Sequence, residues 1–293
     1  MADVCPLCGS TRTILFLDDE EQSLDPSLIG SSRQKITHGR IFRCQDCSFG
    51  FRKMRSNTEE MASVYRKMDV GVYESELDGR LATAAHHLSI VSRFAKTGRI
   101  LDVGCASGLF LSAARKAGWN IAGVEPSENL FAKAAAALGR EAELYCATLE
   151  HTPLAAGSFD AVTLWDVLEH VPQPLEFLRT CASLLKPGGH LFLNVPDLDS
   201  PEARVLGRRW PLLLAEHLNY FNRQSLRFCG EKAGLKWIAF GRRPASFSIG
   251  YILFRLAQHR IPGTVLLRKL AGKAGRIRVP LYLGEVYGVW TRA

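Results

Sequence analysis

The sequence predicts an α/β domain built on a mostly parallel sheet, preceded by a small cysteine-bearing unit. Three stretches carry that prediction. The first is Arg99-Ile-Leu-Asp-Val103, a run of apolar β-formers, followed by Gly104-Cys-Ala-Ser-Gly108 and then by alanine and apolar positions at helical spacing up to Gly118. Strand, glycine turn and helix make half of a βαβ unit. The second repeats the pattern. Asn120-Ile-Ala-Gly-Val-Glu125 reads as a strand ending in a carboxylate, and Pro126-Ser127 opens an alanine-rich helix that stops at Gly139. The third is a pair of Cys-x-x-Cys knuckles, Cys5-Pro-Leu-Cys8 and Cys44-Gln-Asp-Cys47, with 35 residues between them.

The glycine turn lets the backbone approach a ligand that a Cβ would push away. Its Gly-x-x-x-Gly spacing differs from the Gly-x-Gly-x-x-Gly of a dinucleotide site, which argues against a dehydrogenase. A carboxylate ending the second strand of such a sheet commonly accepts both ribose hydroxyls of a nucleoside. Further on come Phe159-Asp-Ala-Val-Thr-Leu-Trp-Asp-Val-Leu-Glu-His170 and Leu185-Lys-Pro-Gly-Gly-His-Leu191. Taken with Asp102 to Gly108 and Glu125, these resemble the ordered motifs of class I S-adenosylmethionine (SAM) methyltransferases over about a third of the chain. The resemblance implies a Rossmann-like seven-stranded sheet with its last strand antiparallel. It also implies SAM as cofactor, held by Asp102, Gly104, Cys105, Ala106 and Gly108 in the first turn and by Glu125 and Pro126 after the second strand. Thr148 and Leu149 would lie by the adenine, Trp165 would pack on the cofactor, and Asp166 would sit beside its charged methionyl end. Ala106 stands where the family usually has glycine.

The short spacers bring both thiolates of a knuckle to one ion, and Cys5, Cys8, Cys44 and Cys47 complete the tetrahedron that zinc prefers. Residues 1–54 are thus expected to be a zinc-ribbon-like domain in which a structural Zn2+ supplies folding energy and no catalysis. Residues 55–98 read as a helical cap or linker, in which Tyr65 and Tyr73 either pack or contribute to a lid over the cofactor, and His86-His87 are surface or packing histidines. Residues 99–293 form the methyltransferase domain. Its third strand is expected at 141–145, its fourth at 159–164, a helix from Pro172 to Pro187-Gly-Gly189, and its fifth strand at 190–195. A helix from 223 to 234, a sixth strand at 235–240 and a last strand at 281–290 complete the set.

Glu216-His-Leu-Asn-Tyr-Phe221 resembles a subgroup of small-molecule methyltransferases that includes ubiquinone-pathway and sugar-modifying enzymes. The expected reaction is methyl transfer to a small-molecule, sugar or lipid-linked acceptor, as O-methylation. His217 is the first candidate for general base and His170 the second, because neutral imidazole accepts a proton near cellular pH. The alternative for His217 is a structural histidine that orders the 216–221 segment. For His170 the alternative is helix packing of the Leu-Glu-His segment.

Between the last two strands, residues 245–280 contain no acidic residue. Arg242, Arg243, Arg255, Arg260, Arg268, Lys269, Lys273, Arg276 and Arg278 in and beside this insertion supply most of the surplus in a formal charge of +8. Basic and apolar residues at helical spacing suit an interfacial helix on anionic lipid, or an ordinary amphipathic helix with a solvated basic face. The sequence has no membrane-span-length apolar run and no export signal at its N-terminus, so a cytoplasmic enzyme, peripheral at most, is expected. The rivals are a zinc-ribbon ribosomal RNA methyltransferase, which the basic balance would suit, and a non-catalytic protein that keeps the fold.

Overall fold

The computed structural model describes residues 4–19, 39–52, 77–250, 252–253 and 272–293. The larger sheet comprises β4 (Arg99–Val103), β5 (Asn120–Val124), β6 (Glu143–Tyr145), β7 (Phe159–Trp165), β8 (Leu185–Pro196), β10 (Leu235–Arg242) and β13 (Glu285–Arg292). Its order is β10-β13-β8-β7-β4-β5-β6, with β13 antiparallel to both neighbours and the other pairings parallel. This is the expected seven-stranded sheet with its last strand reversed. The chain moves outward from β4 to β6 and then returns to β7 beside β4. That reversal opens a crevice at the carboxyl ends of the strands, where open α/β sheets bind ligands.

Parallel strands are covered on both faces, so they read as apolar runs instead of alternating ones. Leu101, Val103, Val162, Leu164, Leu191 and Leu193 face one layer, formed by α4 (Pro174–Leu184) and α6 (Arg223–Lys232). Ile100, Ile121, Ala161 and Phe192 face the other, formed by α1 (Leu77–Phe94), α2 (Leu109–Lys116) and α3 (Glu128–Leu138). Ser127 caps α3, Ser200 caps α5 (Pro201–Leu206) and Asn222 caps α6, each side chain accepting from a backbone N–H in the first turn.

Two expected boundaries are corrected. The helix after Pro172 stops at Leu184, because Leu185 pairs in register with Phe159 and the Pro187-Gly-Gly189 stretch belongs to an extended β8. The last strand begins at Glu285. Leu281 instead belongs to β12 (Arg278–Leu281), which pairs antiparallel with β11 (Ala245–Ser248) and ties together the two roots of the basic insertion. The interior of that insertion, 254–271, and the cap residues 55–76 with Tyr65 and Tyr73 lie outside the described residues.

A second sheet has the order β1-β2-β3-β9, from β1 (Thr13–Leu17), β2 (Ile41–Cys44), β3 (Gly50–Arg52) and β9 (Asn219–Tyr220). The cysteine unit therefore takes its fourth strand from the methyltransferase half of the chain. Ile41, Leu198, Trp210, Leu213 and Tyr220 fill the core where the two meet.

Candidate active site

The glycine turn after β4 is held by its own backbone: Gly104 and Cys105 both donate N–H to Val124 O, at 2.8 and 3.0 Å. Gly104 and Gly108 have φ of 76° and 78°, and a Cβ on either would press within 3 Å of Val167 or Leu138. Ala106 also adopts positive φ, 47°, which costs an L-residue about 1–2 kcal/mol. Its N–H donates to Glu125 Oε2 at 2.9 Å, and Glu125 Oε1 accepts from Ser127 N–H at 2.8 Å. The missing glycine is thus compensated by a bond from the strained residue to the expected ribose-binding carboxylate. Each carboxylate oxygen can still accept a further bond, so a vicinal diol fits. Burial raises the Glu125 pKa, and the two backbone donors oppose it.

Asp102 is buried and accepts from Thr163 Oγ1 at 2.6 Å; burial, with the charge of Glu125, pushes it up to about 7. The Cys105 thiol is buried, so its backbone is what it offers a ligand. Pro126 follows Glu125 half-buried, while Thr148 Oγ1 lies 2.8 Å from His151 Nδ1 and Leu149 is buried beside it. Trp165 ends β7 as expected. Its ring stacks on His87 at 3.8 Å and 10°, with Phe110 at its edge, so His87 is a packing histidine.

Asp166 follows with φ of 56°, a conformation that aspartate tolerates better than most residues. Its N–H donates to Asn194 Oδ1 at 3.0 Å, and Asn194 Nδ2 donates back to its carboxylate. The Arg243 guanidinium donates to both Asp166 oxygens, at 2.8 and 3.1 Å, and to Glu285 Oε1 at 2.9 Å. Arg243 therefore leaves the set of surface cations to which its sequence neighbourhood assigned it: its side chain is 4% exposed, paired with the buried Glu285 and with Asp166, which is itself 47% exposed. The readable signal was Glu285, an acid inside an apolar strand that needs a buried cation. Burial would raise the Asp166 pKa, but Arg243 and its other partners hold it down to about 2; burial pushes Glu285 up to about 7 against the same guanidinium.

Glu169, His170 and His217 meet beside this cluster, with their polar side-chain atoms within 4.8 Å of one another. The two imidazoles touch edge to face, with centroids 4.8 Å apart. His170 Nδ1 bonds Glu216 O at 3.0 Å and His217 Nδ1 bonds Leu212 O at 2.9 Å. A carbonyl only accepts, so each Nδ1 carries hydrogen and each Nε2 carries a lone pair. Burial lowers both histidine pKa values, that of His217 well below 6.5, and raises that of Glu169 well above the usual carboxylate range with the Asp166 charge adding to it. Burial thus shifts both imidazoles toward the neutral form and Glu169 toward the protonated one. Among the described residues, Glu169 Oε2 and Arg243 Nε are buried without a hydrogen-bond partner.

The sequence pattern of a family described as Methyltransferase domain matches residues 73–239, more than half of the chain. The chain belongs to that family. Ubiquinone biosynthesis O-methyltransferases are similar to this chain over about a third of its length. That of Vibrio parahaemolyticus is 37% identical over 100 residues, 33% of this chain and 43% of the relative. That of Xanthomonas campestris is 42% identical over 110 residues, 36% of this chain and 46% of the relative. The chain spans less than half the length of these curated relatives. Among solved structures, a SAM-dependent methyltransferase of Thermotoga maritima matches with a TM-score of 0.52 at 20% identity, covering 76% of this chain and 96% of its own. One of Archaeoglobus fulgidus matches at 0.53 and 16%, covering 76% and 100%. Both show the fold.

SAM is the cofactor of this methyltransferase family, and the turn with its carboxylate fits such a ligand. Glu125→Ala is expected to weaken binding of SAM and of its demethylated product by about 1.5–3 kcal/mol, the value of a lost charged hydrogen bond. Calorimetry reads this directly, and unchanged affinity would remove Glu125 from the site.

In the N-terminal unit the four cysteines gather. Sγ atoms of Cys5 and Cys47, and of Cys8 and Cys44, are 3.6 Å apart, and all four lie within 4.8 Å of one another. Sulfurs about 2.3 Å from one zinc at tetrahedral angles would be about 3.8 Å apart, so the donor set fits that ion. The two knuckles fold alike. Gly9 N–H returns to Cys5 O and Ser48 N–H to Cys44 O, with both donors at positive φ.

Proposed function

We propose that the chain transfers the SAM methyl group to a hydroxyl of a small acceptor, with the four cysteines holding a structural Zn2+. The observation that carries the O-methylation reading is the edge-to-face pair of His217, buried, and His170, half-buried, each with Nδ1 on a backbone carbonyl, at the carboxyl end of the sheet beside Asp166. A hydroxyl must lose its proton as the methyl arrives, and a neutral Nε2 lone pair is the group that takes it. SAM brings an already activated methyl group, so the rest of the task is alignment and exclusion of water. Asp102, Gly104, Cys105, Ala106, Gly108, Glu125, Pro126, Thr148 and Leu149 line the cofactor side of this reading, and Trp165 and Asp166 its inner end. His217 is the base and His170 its neighbour. Arg243 and Glu285 set the charge around Asp166, and Glu169 lies beside the two imidazoles.

The ubiquinone-pathway names of the relatives support a hydroxylated, lipid-like acceptor, and the basic insertion supports contact with anionic membrane. No helix among the described residues is long and apolar enough to cross a membrane. Incubation with methyl-labelled SAM and separated RNA, lipid and small-molecule pools of a cell extract should put label in the lipid or small-molecule pool. Label confined to RNA would overturn the reading. For the insertion, changing Arg268, Lys269, Lys273 and Arg276 to Ser should abolish co-sedimentation with anionic liposomes at moderate salt. Equal sedimentation of both chains, or of neither, would favour a solvated basic face.

A further inference from the structure

We propose that the N-terminal unit positions the acceptor side of the site. Arg52 and strand β3 hold the Glu216–Phe221 segment, and His217 with it, against the turn that carries Glu169 and His170. This rests on the reading of His217 as an acceptor-side group.

The segment is short of structure of its own. Strand β9 has two residues, and in its sheet it is bonded to β3. Two anchors grip it from opposite sides. From the methyltransferase side, Leu218 N–H donates to Glu169 O at 2.8 Å, and Asn219 Nδ2 donates to Leu168 O and Val171 O at 3.0 and 2.6 Å. From the N-terminal side, Gly50 pairs with Tyr220 and Phe51 with Asn219. Arg52 N–H then donates to Leu218 O at 2.9 Å, and the Arg52 guanidinium donates to Ala215 O. The two Arg52 bonds therefore bracket Glu216 and His217.

The approach of the two strands is close enough to require glycine. A Cβ on Gly50 would lie 2.8 Å from Leu198 Cδ2 and 3.0 Å from Tyr220 Cβ. Neighbouring contacts lock the same junction. The Phe49 and Phe221 rings meet at 4.9 Å, and Arg43 clamps Asp199 with two bonds of 2.9 and 2.7 Å. Asn222 Nδ2 joins that carboxylate at 2.7 Å. These contacts all end between Asp199 and Asn222, on the histidine half of the crevice. The glycine turn and Glu125, at the ends of β4 and β5, are held by the separate bonds described above.

The division predicts a split: disturbing Arg52 or Gly50 should affect the acceptor half and spare the cofactor half. The test compares full-length wild type with Arg52→Ala, Arg52→Lys and Gly50→Ala, with metal content and cofactor affinity measured on each. Amide exchange of residues 217–221 and the ring resonance of His217 report on position without requiring turnover. Arg52→Ala is expected to speed exchange in that segment about tenfold or more, to shift the His217 resonance, and to leave cofactor affinity within about twofold. Turnover with the acceptor should fall about tenfold, and Arg52→Lys, which still offers a donor to Ala215 O, should restore much of it. Gly50→Ala should act the same way without removing a charge; if it fails to fold, Arg52→Ala alone decides. Unchanged exchange and an unmoved His217 signal in Arg52→Ala would overturn the proposal. Loosened exchange and a shifted signal with full turnover would uphold the positioning and instead remove His217 from the acceptor site.

Discussion

Cys47→Ser is expected to release the metal and to unfold the N-terminal unit while the larger sheet persists. Structural zinc in small cysteine sites contributes on the order of 10–16 kcal/mol, comparable to or larger than the roughly 5–15 kcal/mol that holds a whole domain together. Among the described residues of the unit, the buried apolar side chains are Cys5, Cys44 and Cys47 with Leu7, Ile41, Phe49 and Phe51. Loss of amide protection at 41–52 should therefore be accompanied by loss at 219–220, because β9 shares its sheet with β3. Elemental analysis should fall from one zinc per chain to a small fraction, and cofactor affinity should stay near the wild-type value. A variant without metal that keeps full protection in both stretches would show that the cysteines are not a folding site.

His217→Ala is expected to lower turnover about 10²–10⁴-fold with cofactor affinity intact, the range for removal of a general base. His217→Gln should rescue little, since an amide cannot take up the proton. If His217 only orders its segment through the bond to Leu212 O, Gln should restore much of the activity. The pH profile follows from burial. The base form is the neutral ring, its pKa lies well below 6.5, and activity is lost only as pH falls through that value. Wild-type kcat/KM should thus be flat from pH 8 through 6.5 and decline only well below it. A limb centred near 7 would assign the titrating group elsewhere, to Glu285 or Asp102, both raised to about 7.

The sheet was readable because its parallel strands are buried on both faces, so Arg99–Val103, Asn120–Val124 and Phe159–Trp165 announce themselves as apolar runs beside glycine. The cofactor turn was readable for a related reason: its glycines answer to positive φ, a local property. Features that depend on distant partners were not. Arg243 sits among other cations in sequence and looks like surface. Only the return of β13 brings Glu285 under it, and only β7 brings Asp166. The fourth strand of the cysteine sheet is two residues long, too short for any pattern, and its partner lies about 170 positions away in the chain. The end of the helix at Leu184 was masked by Pro187-Gly-Gly189, which marks a bend within an extended strand here and not a helix stop.

The most direct measurement of the central claim is product analysis with SAM carrying a 13C-methyl group and the lipid and small-molecule pools of a cell extract as acceptors. The site described here predicts a new carbon signal from a methyl on oxygen, formed by the wild type and nearly absent with His217→Ala. Label on nitrogen or carbon, or wild-type and His217→Ala chains giving equal yields, would contradict the account.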